Sequence, residues 1–141
     1  MKYIKYFIQF SIVIFSFGIF KILGPNLSSK YSGKIFEIIG PFLRSEKIIN
    51  SNIKKALPNI NPKDLKKIRE QMWNNYGRIF AEYIFIKSFR FGKLSSKVEV
   101  VGQEILDKIK NSNQQVIFIS GHFSNFELMA LCLEKSGVKL C

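Results

Sequence analysis

Residues 6–23 read YFIQFSIVIFSFGIFKIL, and this apolar stretch decides how the rest of the chain is arranged. Before residue 20 its only polar side chains belong to one glutamine and two serines, none of which carries a charge. A helix needs about 20 mostly apolar residues to cross the hydrocarbon core of a bilayer. The stretch therefore predicts an N-terminal membrane helix over residues 1–24, with the ammonium group of Lys21 reaching the interface.

Two other interpretations of this stretch stay open, a cleaved signal peptide and a buried helix of a soluble protein. A signal peptide needs small residues at its cleavage site, and residues 21–30, KILGPNLSSK, offer no convincing pair. Lysines and arginines are more numerous after the stretch than before it. Since the positive-inside rule assigns the richer side to the cytoplasm, we expect a single pass with the remainder of the chain in the cytoplasm.

The composition favours an anionic partner. Among 141 residues, 47% are hydrophobic, the net charge is +12 and the pI is about 9.8. The basic residues are scattered in pairs, and neither a zinc-finger spacing nor an RNA-binding aromatic motif is present, so we expect a membrane surface and no nucleic acid. Neither Cys132 nor Cys141 has another metal-ligating residue at a useful spacing in the sequence. We therefore expect neither a metal site nor a disulfide framework.

A basic helical region is predicted over residues 25–95. Gly24-Pro25-Asn26 should end the first helix, Ser28 should cap a second, and Gly40-Pro41 should interrupt that one before a basic helix running to about residue 57. Asn61 is a helix start, because it can cap free N–H groups and is followed by a proline. Apolar residues then recur every three or four positions to about residue 89.

The periodicity changes after residue 95. Residues 98–101 and 115–120 are rich in β-branched and aromatic side chains and predict strands, the second one, which contains VIFI, buried on both faces. Residues 103–110 predict a helix between them, and residues 138–141 predict the opening of a further strand. Alternating strands and helices are typical of an α/β fold with a mainly parallel sheet, which we expect over residues 96–141.

The chain's one histidine follows the second predicted strand, in the sequence S-G-H-F-S-N-F-E of residues 120–127. If His122 lies in the turn before a helix and Glu127 in the first turns of that helix, the imidazole can fold back to the carboxylate. One ring nitrogen would donate to Glu127, and the other could take a proton from a substrate hydroxyl. A histidine that only caps a helix, beside an ordinary acid, explains the spacing equally well.

The same residues resemble a known family. S-G-H-F-S-N-F-E is similar to the G-H-x-G-N-W-E form of the H-x4-D/E motif of the late acyltransferases of lipid A biosynthesis, the lauroyl and myristoyl transferases. Residues 44–68 resemble a conserved segment of that family, and residues 98–106 resemble its V-x-G-x-E-x-L. Ser124 and Phe126 depart from the family, which often has glycine and tryptophan there.

The resemblance implies an acyltransferase at the cell inner membrane with its catalytic part on the cytoplasmic side. It would move an acyl chain from acyl carrier protein to a hydroxyl of a lipid A precursor glycolipid, without cofactor or metal. His122 would be the general base and Glu127 its orienting partner, with Asn125, Gly121 and Ser124 near substrate.

Family members are longer, so the resemblance also implies that residues 96–141 hold only the beginning of the catalytic domain, in a truncated or split form. Two alternatives stay open. One is an inactive membrane-anchored fragment, and the other is an acyltransferase acting on a different glycolipid or glycerolipid.

Overall fold

The described part of the chain is helical. A computed structural model of the protein describes residues 2–112 and 115–138, and it divides the chain into two compact units, residues 1–84 and 85–141. The α-helices, in chain order, are α1 (Lys2–Leu43), α2 (Glu46–Ala56), α3 (Pro62–Glu82), α4 (Ile86–Phe91), α5 (Gln103–Asn111) and α6 (Glu127–Lys135), with 3₁₀ turns at Tyr83–Phe85 and Ser95–Lys97.

Helix α1 is two arms joined by a sharp bend at Gly24. Gly24 has φ 77° and ψ 170°, a left-handed conformation in which a side chain would be strained. The N-terminal arm (residues 2–23) and the C-terminal arm (residues 25–43) both reach Phe80 of α3. The ring centroids of Phe17 and Phe36 lie 5.4 and 5.6 Å from that of Phe80, although an unbroken helix would hold the two residues about 28 Å apart.

The N-terminal arm has the length and composition of a membrane span. Among the described residues, α1 is the one helix long and apolar enough to cross a bilayer. Residues 2–12 are exposed on every side, and contact with the rest of the unit begins at residue 13. The predicted N-terminal apolar helix is therefore present.

A seam of small residues joins the C-terminal arm of α1 to α3. Ser28 and Ser32 are buried on α1, and Gly77 is buried opposite them on α3. A Cβ added at Gly77 would collide with the backbone carbonyl of Ser32 and lie 2.8 Å from Cβ of Phe36. The sequence predicts that Ser28 caps a second helix. Instead, its Oγ donates to the carbonyl of Phe20 across the bend at 2.8 Å.

Polar side chains run along one side of this seam. Ser29 Oγ donates to Glu82 at 3.1 Å, and Arg78 donates to Ser29 Oγ at 3.4 Å. Arg78 Nε also donates to Asn74 Oδ1 at 2.6 Å, while the Asn74 amide donates to Glu37 Oε1 at 2.6 Å. Because charge-assisted hydrogen bonds need good geometry, this chain of contacts fixes the register of α1 against α3.

The carboxylate of Glu37 also has a local partner. Lys34 Nζ donates to its two oxygens at 3.0 and 2.9 Å. This lysine is the largest influence holding the pKa of Glu37 below its ordinary value; partial burial opposes the effect and the Asn74 amide adds to it.

Helix α3 begins as the sequence predicts. Asn61 Oδ1 accepts the N–H of Asp64 at 2.9 Å, and a proline occupies the first turn. The helix ends at Glu82, seven residues before the predicted end, and passes into the 3₁₀ turn. An ion pair joins α3 to α2, with Nη1 of Arg69 lying 3.0 Å from Oε2 of Glu46.

The second unit packs α4 against α6. Arg90 of α4 forms an ion pair with Glu134 of α6. Helix α5 begins after Gly102, whose φ is 87°, and matches the predicted helix within one residue.

The predicted α/β sheet is wrong: residues 2–112 and 115–138 contain no strand. Residues 98–101 form an extended segment and a turn, and residues 115–120 are irregular, with Ile117 90% and Ile119 94% exposed. A strand is stabilised by a ladder to a neighbour, and the described chain supplies no neighbour for these residues. Of the further strand predicted at residues 138–141, residues 139–141 lie outside the described residues.

Candidate active site

The histidine motif lies between an irregular segment and a helix. Residues 115–123 have no regular structure, and α6 begins at Glu127. The N–H of Phe123 donates to the carbonyl of Gly121 at 2.9 Å. This closes a three-residue turn with His122 at its centre, and the turn exposes the imidazole.

A neighbouring aromatic ring fixes the orientation of the imidazole. The ring centroids of His122 and Phe126 are 4.3 Å apart, with an angle of 72° between the planes. Edge-to-face contacts of this kind are favourable for aromatic pairs. The imidazole of His122 therefore lies against the ring of Phe126, which is four positions along the chain and directly precedes α6.

Glu127 opens α6 and is half-buried. The first turn is tight: the N–H of Leu128 donates to the carbonyl of Asn125, and the N–H of Met129 to that of Phe126, both at 3.1 Å. A carboxylate in the first turn lies near the positive end of the helix dipole. His122 thus precedes the helix and Glu127 lies in its first turn, the placement that the proposed pairing requires. The pairing of the two side chains stays a prediction.

Ser124 connects the turn to the helix in an unusual backbone conformation. Its φ is 47°, and it is the one non-glycine residue with positive φ among the described residues. Only a few per cent of non-glycine residues adopt this region. The structure thus gives a physical reason for the glycine that is frequent at this position of the resembled motif.

The three other predicted site residues surround His122 along the chain. Gly121 and Ser124 are exposed on either side of the turn, and Asn125 is half-buried at the start of the helix. A Cβ at Gly121 would meet the ring of Phe123. Because that ring is exposed and free to rotate away, the glycine is not required by packing alone.

A small cavity in the second unit borders the motif, and polar side chains such as Arg90, Gln103 and Lys135 line it together with apolar ones. Its volume is about 230 Å³. Leu128, the residue after Glu127, lines it together with Leu131 and Cys132 from α6, and Phe89 and Val98 form the opposite wall. Helix α6 therefore carries the candidate carboxylate at its start and an apolar cavity wall along its next two turns.

Sequence reasoning missed two contributors to this region. Phe126 was considered only as a departure from the family's tryptophan, yet its ring contacts His122. Arg90 was not singled out, yet it lines the cavity and forms an ion pair with Glu134 of α6. The four-residue spacing of His122 and Phe126 was a usable signal, whereas the partner of Arg90 lies 44 positions away along the chain.

The candidate site brings together an imidazole, that of His122, and the carboxylate of Glu127 on one short stretch of chain. Within residues 2–112 and 115–138, no group of three or more histidine, cysteine, aspartate or glutamate side chains is placed to hold a metal ion.

Comparison with known proteins gives one match. No curated protein and no solved structure matches the chain. The model of one family, described as bacterial lipid A biosynthesis acyltransferase, matches residues 1–141, which is the whole sequence. The chain belongs to the bacterial lipid A biosynthesis acyltransferase family and is an acyltransferase.

Proposed function

We propose that the protein transfers a fatty acyl group from acyl carrier protein to a hydroxyl of a lipid A precursor at the cytoplasmic face of the inner membrane. His122 is the general base and Glu127 orients it. The observation that carries the proposal is the placement of His122 in an exposed turn directly before a helix whose first residue is Glu127.

The chemistry follows from this placement. The acceptor hydroxyl approaches His122, which removes its proton as the oxygen attacks the carbonyl carbon of the acyl thioester. The carbon–sulfur bond of the tetrahedral intermediate then breaks. The proton passes from the imidazolium to the departing thiolate, so that the histidine returns to its neutral form. The carboxylate of Glu127 stabilises the imidazolium between these steps.

The first turn of α6 supplies a further contribution. The start of α6 is the positive end of its helix dipole, which favours negative charge in the preceding turn. The oxyanion of the tetrahedral intermediate develops such a charge.

Charge and hydropathy support the partners. Phosphorylated glycolipids and acyl carrier protein are both anionic, and the net charge of +12 favours association with either. The N-terminal arm of α1 supports membrane attachment, and the excess of lysine and arginine after it supports a cytoplasmic active site. The apolar side of the cavity beside α6, formed by Leu128, Leu131 and Phe89, offers a place for part of the acyl chain.

The test is mass spectrometry of lipid A from cells whose chromosomal gene carries a single substitution. His122→Ala is expected to remove one acyl chain from lipid A, because loss of a general base slows transfer by about a hundredfold or more. Glu127→Gln should slow transfer, and Glu104→Gln, which changes the first-turn glutamate of α5, is the matched control.

Three results would contradict parts of the proposal. Lipid A of unchanged mass in the His122→Ala strain, at normal protein abundance in the membrane, removes the catalytic assignment. Equal effects of the Glu127 and Glu104 substitutions remove the orienting role. Loss of an acyl chain from another glycolipid or from a glycerolipid, with lipid A unchanged, replaces the acceptor.

A further inference from the structure

The C-terminal arm of α1 exposes a continuous apolar stripe. Tyr31, Ile35, Ile38 and Phe42 are 52, 50, 70 and 87% exposed, and Leu27 extends the stripe toward the bend. Spacings of three and four residues place all five side chains on one face of a helix. The stripe is about 22 Å long at 1.5 Å per residue.

The stripe is separate from the face that packs on α3. At about 100° per residue, Ser28, Ser32 and Phe36 are centred about 100° around the helix from the centre of the stripe, where they form the buried seam. The arm therefore has one face buried by small residues against protein and a second face of large apolar side chains that no described residue covers.

Basic side chains flank the stripe. Lys30 and Lys34 lie along one of its edges and are exposed, and Arg44 and Lys47 follow its C-terminal end. Glu37, the acid on the same arm, is already paired with Lys34. Large apolar residues on one face with lysine beside them are the pattern of a helix lying in the plane of a membrane interface, where anionic headgroups attract the basic groups.

The bend at Gly24 connects the arm that carries the stripe directly to the apolar N-terminal arm. The ring centroids of Phe17 and Phe36 both lie within 5.6 Å of that of Phe80, so the bend turns the second arm away from the direction of the first. The stripe begins three residues after the bend. A bend at this point allows the first arm to cross a bilayer while the second lies along its surface.

We propose that the C-terminal arm of α1 is an in-plane membrane helix whose stripe, Leu27 to Phe42, is covered by the lipid of an anionic bilayer. This inference rests on the membrane attachment in the proposed function, and it adds a second contact surface to the N-terminal arm. It gives the first unit two lines of attachment, one along each arm.

The test places a nitroxide spin label at single cysteines in the full-length chain, with Cys132→Ser and Cys141→Ser as background. The labelled proteins are reconstituted in vesicles of phosphatidylethanolamine and phosphatidylglycerol. Power saturation then compares collisions with oxygen, which concentrates in lipid, and with a water-soluble nickel complex. The sites are Ile38→Cys in the stripe, Ile14→Cys in the N-terminal arm, and Lys66→Cys, which is exposed on α3.

The expected result is that labels at positions 38 and 14 collide mainly with oxygen and the label at position 66 mainly with nickel. If position 38 collides with nickel while position 14 does not, the in-plane helix is refuted and membrane attachment stands. If both collide with nickel, membrane attachment itself fails. Low collision with both reagents at position 38 means that protein covers the stripe, which also overturns the proposal.

Discussion

Replacing Gly77 by alanine tests the close packing of α1 on α3. A Cβ at this position would collide with the carbonyl oxygen of Ser32 and lie 2.8 Å from Cβ of Phe36, where ordinary contacts begin at 3.4 Å. The carbonyl belongs to helix backbone, so it cannot rotate away as a side chain can. The C-terminal arm of α1 must then move outward as a unit.

The magnitude follows from two opposing contributions. Overpacking of a close contact costs about 1–3 kcal/mol, and a clash with helix backbone, which cannot rotate away, lies at the upper end of that range, about 2–3 kcal/mol. Alanine regains about 1 kcal/mol of helix propensity over glycine. We expect a net loss of about 1–2 kcal/mol of unfolding free energy, which corresponds to a fall in Tm of roughly 3–10 °C for a chain of this size.

The assay is thermal unfolding of the detergent-solubilised full chain, followed by the fluorescence of Trp73, which is buried in this seam. Gly18→Ala is the matched control, because no atom lies within 4 Å of a Cβ built there, and it should leave Tm unchanged or raise it. An unchanged or higher Tm for Gly77→Ala refutes the close contact. Loss of the Gly77→Ala effect in a Phe36→Gly background, which lacks the Cβ of Phe36, assigns the clash to that side chain instead of the Ser32 carbonyl.

Three further substitutions test local features. Ser124→Gly should raise the free energy of unfolding by about 0.5–1 kcal/mol in thermal denaturation, because glycine adopts the left-handed region without strain. Equal effects of Ser124→Gly and Ser124→Ala would exclude this backbone explanation. Asn61→Ala should lower the free energy of unfolding by about 1 kcal/mol through loss of the N-cap, and Asn61→Gly by only a few tenths. Glu37→Gln should flatten the dependence of the free energy of unfolding on pH on the acid side. Because the folded pKa of Glu37 is lowered, its contribution to stability is present above the ordinary glutamate range and is lost as the pH falls through the folded pKa. Unfolding curves of the Gln variant that keep the slope of the parent below about pH 4.5 would contradict this assignment.

Local signals in the sequence predicted several helix features correctly. Asn61 followed by a proline marked the start of α3, and the cap forms as expected. The break at residue 24 was expected from Gly24-Pro25, and the structure places a bend there. Such features depend on a few adjacent residues, so a sequence pattern contains all the information that they need.

The sheet was wrong because its stabilisation is not local. Residues 115–120 carry the composition of a buried strand, but strand structure requires hydrogen bonds to a second segment, and none of the described residues provides them. Gly40-Pro41 misled for a related reason. The expected interruption does not occur, since α1 continues to Leu43 and Gly40 admits the ring of Trp73 against the helix.

The candidate site was predictable in part. A histidine after an apolar run, with an acid five positions on, pointed to the segment, and Glu127 lies in the first turn of a helix as the expected pairing requires. The catalytic roles of the two residues stay a prediction. The contact of His122 with Phe126 and the backbone of Ser124 depend on how the turn closes, which the types of side chain alone do not specify.

The absence of any spacer between the two arms of α1 has a consequence for how the enzyme would meet its acceptor. A flexible linker would let a domain take many orientations relative to its anchor. Here one glycine separates the apolar arm from a helix that is packed against α3. In the proposed membrane attachment, any tilt or depth that the lipid imposes on the arm would therefore be passed rigidly to the first unit. Encounter with a glycolipid acceptor in the same leaflet would then be a search by lateral diffusion in two dimensions, with the enzyme held at a constant height.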